Sequence, residues 1–214
     1  MNRKAGFTPG FIFGEEELQR ERYEIAPLHS IVQAERRTGG RCWLYWGNRN
    51  ALDHYNVASR VSFKELLEGK CAEAAREGRK LRVLDVGVGS GAQWKRFLAK
   101  HPEMDWHGTA LSRKYVVPSL RGKVVYSTAR TLHRKFEPSS FDVIVSNYGI
   151  HSQAASAVEN VHWLLKPGGE AILTTNIGWS AEKVFTGNLN PFFEVLGRSP
   201  RHSQPAYGIH LRKR

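Results

Sequence analysis

Cysteine and long apolar stretches are both scarce in this 214-residue sequence, and each scarcity excludes a class of protein. The two cysteines, Cys42 and Cys71, lack metal-ligand spacing and are too few for a disulfide framework, so we expect no disulfide scaffold and no metal site. No stretch approaches the roughly 18 consecutive apolar residues that span a bilayer. The basic start is not followed by an apolar run of signal-peptide length. These absences predict a cytoplasmic protein without a membrane partner.

Acidic residues are missing from one long stretch. The sequence has no Asp or Glu between Trp106 and Phe136. Seven basic residues fall there: Arg113, Lys114, Arg121, Lys123, Arg130, Arg134 and Lys135. The whole chain has a formal net charge of +12, and an excess of this size attracts polyanions. The stretch favours RNA or another polyanion as a partner, and a solvated face that only aids solubility is the alternative.

The first third of the chain differs from the rest in composition and in the periodicity of its apolar residues. Residues 1–14 are rich in Gly, Pro and Phe without a helical or strand period, which predicts an arm that is disordered or laid across the surface. Residues 15–37 have a helical pattern interrupted at Pro27. The length suits one domain. We therefore expect residues 1–80 to form an arm with a helical extension, and residues 81–214 to form the main domain.

From residue 81 onwards, short β-rich runs alternate with helical segments, which is the pattern of βαβ units and a mostly parallel sheet. The predicted strands are residues 82–86, 106–111, 124–127, 141–146, 170–175, 192–198 and 206–211. The predicted helices are residues 62–78, 92–100, 115–120, 154–165 and 181–189. The link between the last two strands is too short for a parallel crossover, so these strands are expected to pair antiparallel.

The most informative motif is VLDVGVGSG at residues 83–91, which reads as a buried strand, a glycine-rich turn and the start of a helix. Glycines permit positive φ and a close approach of a ligand, and the following helix presents free N–H groups. The motif alone is ambiguous, because Gly87, Gly89 and Ala92 also fit the dinucleotide-binding pattern. A tight turn without a ligand is a further interpretation.

Two later motifs reduce this ambiguity. FDVIVSNY at residues 141–148 and LLKPGGEAIL at residues 164–173 stand at the distances expected of strands four and five. With them, residues 81–211 resemble the class I S-adenosylmethionine-dependent methyltransferases. The resemblance implies a three-layer, Rossmann-like α/β fold whose seven-stranded sheet is mostly parallel with an antiparallel last strand. It also implies S-adenosylmethionine as the cofactor.

The resemblance places the site at the ends of the strands. Asp85 is expected to orient the ammonium group of the cofactor, and the loop glycines are expected to leave room for its sulfonium. Asn147 is similar to the position that lines the methyl-transfer region. Tyr148 follows it, and His151 is either a general base or a packing residue at the rim. The full set of cofactor-binding candidates is Asp85, Gly87, Gly89, Ser90, Gly91, Ala110, Leu111, Ser112, Thr128, Ala129 and Asn147.

Two positions depart from the family pattern. Ala110 stands where an acid usually accepts hydrogen bonds from both ribose hydroxyls, and Thr128 stands where an acid often lies near the adenine amino group. Losing such a bond costs roughly 1.5 to 3 kcal/mol if nothing replaces it. The departures leave open a catalytically degenerate relative that acts as an RNA or ribonucleoprotein binding module. The missing ribose acid also argues against a third hypothesis, an NAD-dependent oxidoreductase.

Overall fold

A seven-stranded sheet forms the centre of the computed structural model, which describes residues 6–16, 18, 52, 55, 56, 62–150, 154–176, 184–199 and 206–214. The strands are β1 (Leu81–Val86), β2 (Met104–Ala110), β3 (Val124–Tyr126), β4 (Phe141–Asn147), β5 (Leu165–Asn176), β6 (Phe193–Arg198) and β7 (Ala206–Lys213). Their order is β3-β2-β1-β4-β5-β7-β6. Strands β1 to β5 pair in parallel, and β7 is antiparallel to both β5 and β6. The predicted sheet with its antiparallel last strand is confirmed.

Helices cover both faces of the sheet and make the fold three-layered. The α-helices are α1 (Phe63–Arg76), α2 (Ala92–Lys100) and α3 (Ala154–Leu164), and the 3-10 helices are Arg113–Tyr115, Pro118–Lys123 and Ala129–Arg134. Helices α1 and α2 share a buried cluster with Val83 and Val143 on one face. Helix α3 shares another with Leu84 and Ile144 on the other face. Successive strand residues point to opposite faces of the sheet, so the apolar residues of β1 and β4 contribute to both clusters.

The sequence predicts most elements closely and one in the wrong form. The α-helix expected at residues 115–120 is replaced by two 3-10 turns around Val116 and Val117. Two β-branched residues followed by Pro118 restrict the backbone to extended conformations there, so a continuous helix cannot form. Most residues of the helix predicted at residues 15–37 lie outside the described part. Of the helix predicted at residues 181–189, residues 184–186 are helical and residues 181–183 lie outside the described part. Among the described residues, no helix is long and apolar enough to cross a membrane.

The described part of the N-terminal arm lies on helix α3. Glu159 of α3 is fully buried, and its carboxylate accepts hydrogen bonds from the backbone N–H groups of Gly10, Ile12 and Phe13 at 2.8 to 3.2 Å. The ring of Phe7 stacks on His133 with a centroid distance of 4.1 Å. A buried carboxylate is costly unless its oxygens are hydrogen-bonded, so the arm and the helix depend on each other. Of the two alternatives predicted for the arm, residues 7–13 have the one in which it lies across the surface.

A second buried carboxylate joins the sheet to helix α1. Glu170 on β5 lies 3.0 Å from the Lys70 ammonium, 2.8 Å from Nε2 of His210 and 3.2 Å from the Arg212 guanidinium. Burial disfavours its ionised form, but the hydrogen bond from His210 and the positive charge of Lys70 outweigh that effect. Together they hold the pKa of Glu170 at about 2, below the ordinary 4.5. The ionised side chain therefore stabilises the folded state.

We expect Glu170→Gln to lower the free energy of unfolding by about 3 kcal/mol at neutral pH, because it removes the buried carboxylate that Lys70 and Arg212 pair with. Because the folded pKa lies below the ordinary value, the stabilisation is complete above pH 4.5 and is lost as the pH falls towards 2. Urea unfolding at several pH values measures both effects. Glu194→Gln is the matched control, since Glu194 also bonds Arg212 but is half exposed, and it should cost less than about 1 kcal/mol. Equal losses in the two variants would contradict this account.

Candidate functional site

The glycine-rich turn after β1 packs against the end of β4 at unusually short range. A Cβ atom on Gly87 would lie 2.7 Å from Cα of Gly149, and one on Gly149 would lie 2.1 Å from the carbonyl oxygen of Val86. The hydroxyl of Ser146 donates to that same carbonyl at 2.8 Å. Strands β1 and β4 are neighbours in the sheet although β2 and β3 separate them in sequence. This is the point at which strand order reverses, where open α/β sheets bind their ligands.

Beyond Gly87 the turn opens towards its ligand side. Gly89 and Gly91 have φ of +58° and +73°, and a Cβ atom on Gly89 would meet nothing within 4 Å. Gly91 is the N-cap of α2 and provides no side-chain bond to the first helical turn. Ser90 Oγ accepts from the Ala92 N–H at 3.3 Å. The turn therefore offers backbone N–H groups, a helix N-terminus and room for a bound group.

Asp85, at the end of β1, is buried, and each of its carboxylate oxygens has an aromatic donor. The indole N–H of Trp94 donates to its Oδ2 at 2.5 Å, and the hydroxyl of Tyr55 donates to its Oδ1 at 3.4 Å. Burial raises the pKa of Asp85 to about 7, although both hydrogen bonds act in the opposite direction. Burial, followed by the charge of Asp85, holds the pKa of Tyr55 well above its ordinary 10. The carboxyl group of Asp85 therefore changes its charge near neutral pH.

The ends of β2 and β3 carry small and hydroxyl side chains. Ala110 is buried, Leu111 is 61% exposed, and Ser112 Oγ accepts from the Lys114 N–H at 3.3 Å. After β3, Thr128 precedes the 3-10 helix that begins at Ala129. Its hydroxyl lies 3.3 Å from that of Thr131. These five candidate positions lie together at the carboxyl edge without a carboxylate, as the sequence departures predicted.

The segment after β2 also contacts the glycine turn directly. The N–H of Val117 donates to the carbonyl of Ser90 at 2.9 Å, and the N–H of Val88 donates to the carbonyl of Thr109 at 2.9 Å. Thr109 Oγ1 accepts in addition from the Gly87 N–H at 3.1 Å. The turn is thus held on the β2 side by three bonds, and its shape is fixed without a ligand.

Two of the three catalytic candidates lie at the end of β4. Asn147 accepts a hydrogen bond from Thr174 Oγ1 at 2.7 Å, which fixes its side chain. Tyr148 is half-buried and has a φ of +58°, a conformation that is rare for a residue with a side chain. Such backbone strain clusters at functional sites. His151 lies outside the described residues, so its part in the site stays a prediction.

Comparisons with known proteins agree with this geometry. Residues 83–169 match the family model described as a methyltransferase domain. This part of the chain is similar to methyltransferase domains, as the predicted resemblance to the class I S-adenosylmethionine-dependent methyltransferases implies. The matched residues include the glycine turn, the end of β4 and the Lys-Pro-Gly-Gly sequence at residues 166–169.

The chain is also similar to solved structures and to a curated protein. A crystal structure of the Burkholderia thailandensis 1,6-didemethyltoxoflavin-N1-methyltransferase, with bound S-adenosylhomocysteine, has a TM-score of 0.60 at 17% identity and 90% coverage of both chains. TrmN from Thermus thermophilus has a TM-score of 0.51 at 19% identity, over 72% of this chain and 48% of TrmN. The highly reducing polyketide synthase pkhB of Emericella nidulans is 28% identical over 161 residues, or 67% of this chain. The chain spans only 6% of that synthase.

Sequence reasoning missed two residues of the candidate site, Tyr55 and Trp94. Both bind Asp85, and the Tyr55 hydroxyl also lies against the backbone of Asn147. Trp94 lies in the apolar stripe of α2 and looks like an ordinary core residue. Tyr55 is 30 positions from Asp85. Buried Tyr and Trp side chains usually need a hydrogen-bond partner, and the buried acid of the motif is a possible acceptor. The sequence offers no other indication of either residue.

The pKa of Asp85 leads to a test of its expected role towards the cofactor ammonium. Because the carboxyl group ionises near pH 7, we expect the affinity for S-adenosylhomocysteine to rise by up to about tenfold between pH 6 and pH 8. Asp85→Asn should bind more weakly at pH 8 and show a flat profile by calorimetry. Asp105→Asn, which removes a more exposed acid from β2, should keep the rise. A rise that persists in Asp85→Asn would assign it to another group.

Proposed function

We propose that this chain binds S-adenosylmethionine at the carboxyl edge of its sheet and transfers the methyl group to an acceptor. The observation that carries the proposal is the glycine turn. It is bonded to Thr109 of β2 and packed against Gly149 after β4, yet it is open at Gly89 and leads into the N-terminus of α2. Such a turn would hold the methionine end of the cofactor. The hydroxyls of Ser112 and Thr128 are the polar side chains placed for its nucleoside end.

The bound cofactor would supply a methyl group on a sulfonium, which a nucleophile displaces in line. The protein's part is then alignment and exclusion of water. Asn147, fixed by Thr174, lies where the acceptor would meet the methyl group. Burial raises the pKa of Tyr148, so its phenol stays neutral and orients an acceptor by hydrogen bonding rather than by taking a proton. His151 remains the proposed residue for proton removal.

Gly89→Arg tests the proposed cofactor site. The side chain would extend into the space beside Gly89 and occupy the position of the ligand, so we expect calorimetry to show binding of S-adenosylhomocysteine to the wild type and none to the variant. Gly78→Arg is the matched control, because Gly78 has a similar φ of +68° and similar open space but follows α1, before β1. It carries the same strain and the same added charge. Unchanged affinity in a folded Gly89→Arg protein would remove the glycine turn from the site.

For the acceptor we propose RNA or another polyanion. Arg113 and Lys114 are exposed on the 3-10 helix that directly follows β2, beside the segment that bonds the glycine turn. Arg130 and Arg134 lie on the 3-10 helix after β3. Basic groups thus lie beside the carboxyl edge on two neighbouring strand ends. A phosphate chain bound there would release counterions and could place a base or ribose near Asn147.

A salt titration with a 20-nucleotide single-stranded RNA of mixed sequence tests this acceptor class. Changing Arg113, Lys114, Arg121 and Lys123 together to Ser should weaken binding and reduce the slope of log affinity against log salt by up to about 2.8, at roughly 0.7 per lost phosphate contact. The matched control changes Arg76, Lys80, Arg96 and Lys100 to Ser, which removes the same charges from exposed positions on or beside α1 and α2. Equal losses of RNA affinity in both variants would mean that RNA is attracted by the net charge of the protein alone. No loss in either would favour a small neutral acceptor.

A further inference from the structure

Three potential metal ligands converge at the end of the sheet opposite the glycine turn. They are Cys71 on α1, His101 immediately after α2, and Glu103 immediately before β2. Their donor atoms, one from each side chain, all lie within 4.8 Å of one another. Cys71 precedes His101 and Glu103, which share the short link between α2 and β2, by 30 and 32 positions, so no metal-ligand spacing in the sequence indicates the set.

The individual contacts in this cluster are close and partly shielded from water. His101 Nδ1 lies 3.0 Å from Glu103 Oε1, and the other ring nitrogen lies 3.8 Å from Glu68 Oε1. The thiol of Cys71 is 4% exposed and is hydrogen-bonded to Glu103. The imidazole ring stacks on Phe97 with a centroid distance of 4.3 Å, which fixes its plane. The donors are thus preorganised by packing on two helices and a strand.

We propose that Cys71, His101 and Glu103 bind one Zn²⁺ ion. Sulfur, imidazole nitrogen and carboxylate oxygen form the donor set that zinc takes, whereas magnesium and calcium prefer oxygen alone. Two donors on one tetrahedral zinc lie about 3.5 Å apart, so donors that are up to 4.8 Å apart here would approach each other by up to about 1.3 Å on binding. A thiolate and a carboxylate would neutralise the ion, and water would take the fourth position.

Glu68 has a separate part in this site. Once Nδ1 of His101 binds the ion, the Nε2–H points towards the Glu68 carboxylate, which would orient the ring as carboxylates commonly orient zinc-bound histidines. Without the ion, burial and then the neighbouring Glu103 raise the pKa of the Cys71 thiol to about 11. Zinc binding would therefore displace a proton from sulfur and would tie α1, the end of α2 and the start of β2 together.

The test uses the full chain, kept reduced and stripped of metal by a chelator. We expect competition with a chromophoric chelator to show one Zn²⁺ per chain, and Co²⁺ to give a thiolate-to-metal absorption band in the near ultraviolet. Cys71→Ser should abolish that band and weaken Zn²⁺ binding at least tenfold. Cys42→Ser changes the chain's other cysteine and should leave both measurements unchanged.

Two more variants keep the result interpretable, because Cys71 lies in the core and its loss can disturb folding. His101→Gln and Glu103→Gln should each weaken Zn²⁺ binding at least tenfold with an unchanged circular dichroism spectrum. Zn²⁺ should raise the melting temperature of the wild type and not of these variants. S-adenosylhomocysteine binding should be unaffected in all of them, because the site is remote from the glycine turn. No stoichiometric binding, or loss of the cobalt band in Cys42→Ser instead, would overturn the proposal.

Discussion

The close crossing of Gly87 and Gly149 is the constraint on which the rest of the site depends. A side chain at either position would collide with backbone, at 2.7 and 2.1 Å respectively, so the two strand ends meet only because both residues lack one. That contact sets the separation of β1 from β4 at the point of strand reversal. The opening of the turn at Gly89 and the position of Asn147 both follow from it. Ser146, bonded to the Val86 carbonyl, holds the crossing together from within.

A buried acid and two aromatic residues give the same region its electrostatic character. Asp85 accepts from Trp94 on α2 and from Tyr55, so three separate parts of the chain meet at one carboxyl group. Burying a carboxyl group is tolerated when its oxygens have donors, and the remaining cost shows as a raised pKa. Asp85 therefore links Trp94 and Tyr55 by hydrogen bonds and also changes its charge near pH 7. A substitution at this position would affect both the packing and the charge of the site.

The sheet and the glycine turn could be predicted because their signals are local. The apolar runs of the strands, the Gly-rich turn and the Lys-Pro-Gly-Gly sequence each occupy fewer than a dozen residues. Their structure can therefore be predicted from local periodicity and from the backbone preferences of Gly and Pro. The pairing of Glu159 with the arm joins positions nearly 150 residues apart, and Tyr55 meets Asp85 only in the folded chain. The helix predicted at residues 115–120 is replaced by 3-10 turns because Val116, Val117 and Pro118 restrict the backbone between them to extended conformations. Long-range polar pairing leaves no periodic trace in a sequence.

The three backbone bonds from the arm to Glu159 have a consequence for how the protein can be shortened. An arm that looks dispensable in the sequence supplies three hydrogen bonds to a carboxylate that is itself fully buried. Trimming it would leave an anion inside an apolar layer, with the stacked rings of Phe7 and His133 also separated. Expression of a minimal catalytic core would therefore be expected to give poorly folded material unless residue 159 were made neutral at the same time. Residues 10–13 therefore contribute to the buried part of the structure, because they hydrogen-bond a side chain in its interior.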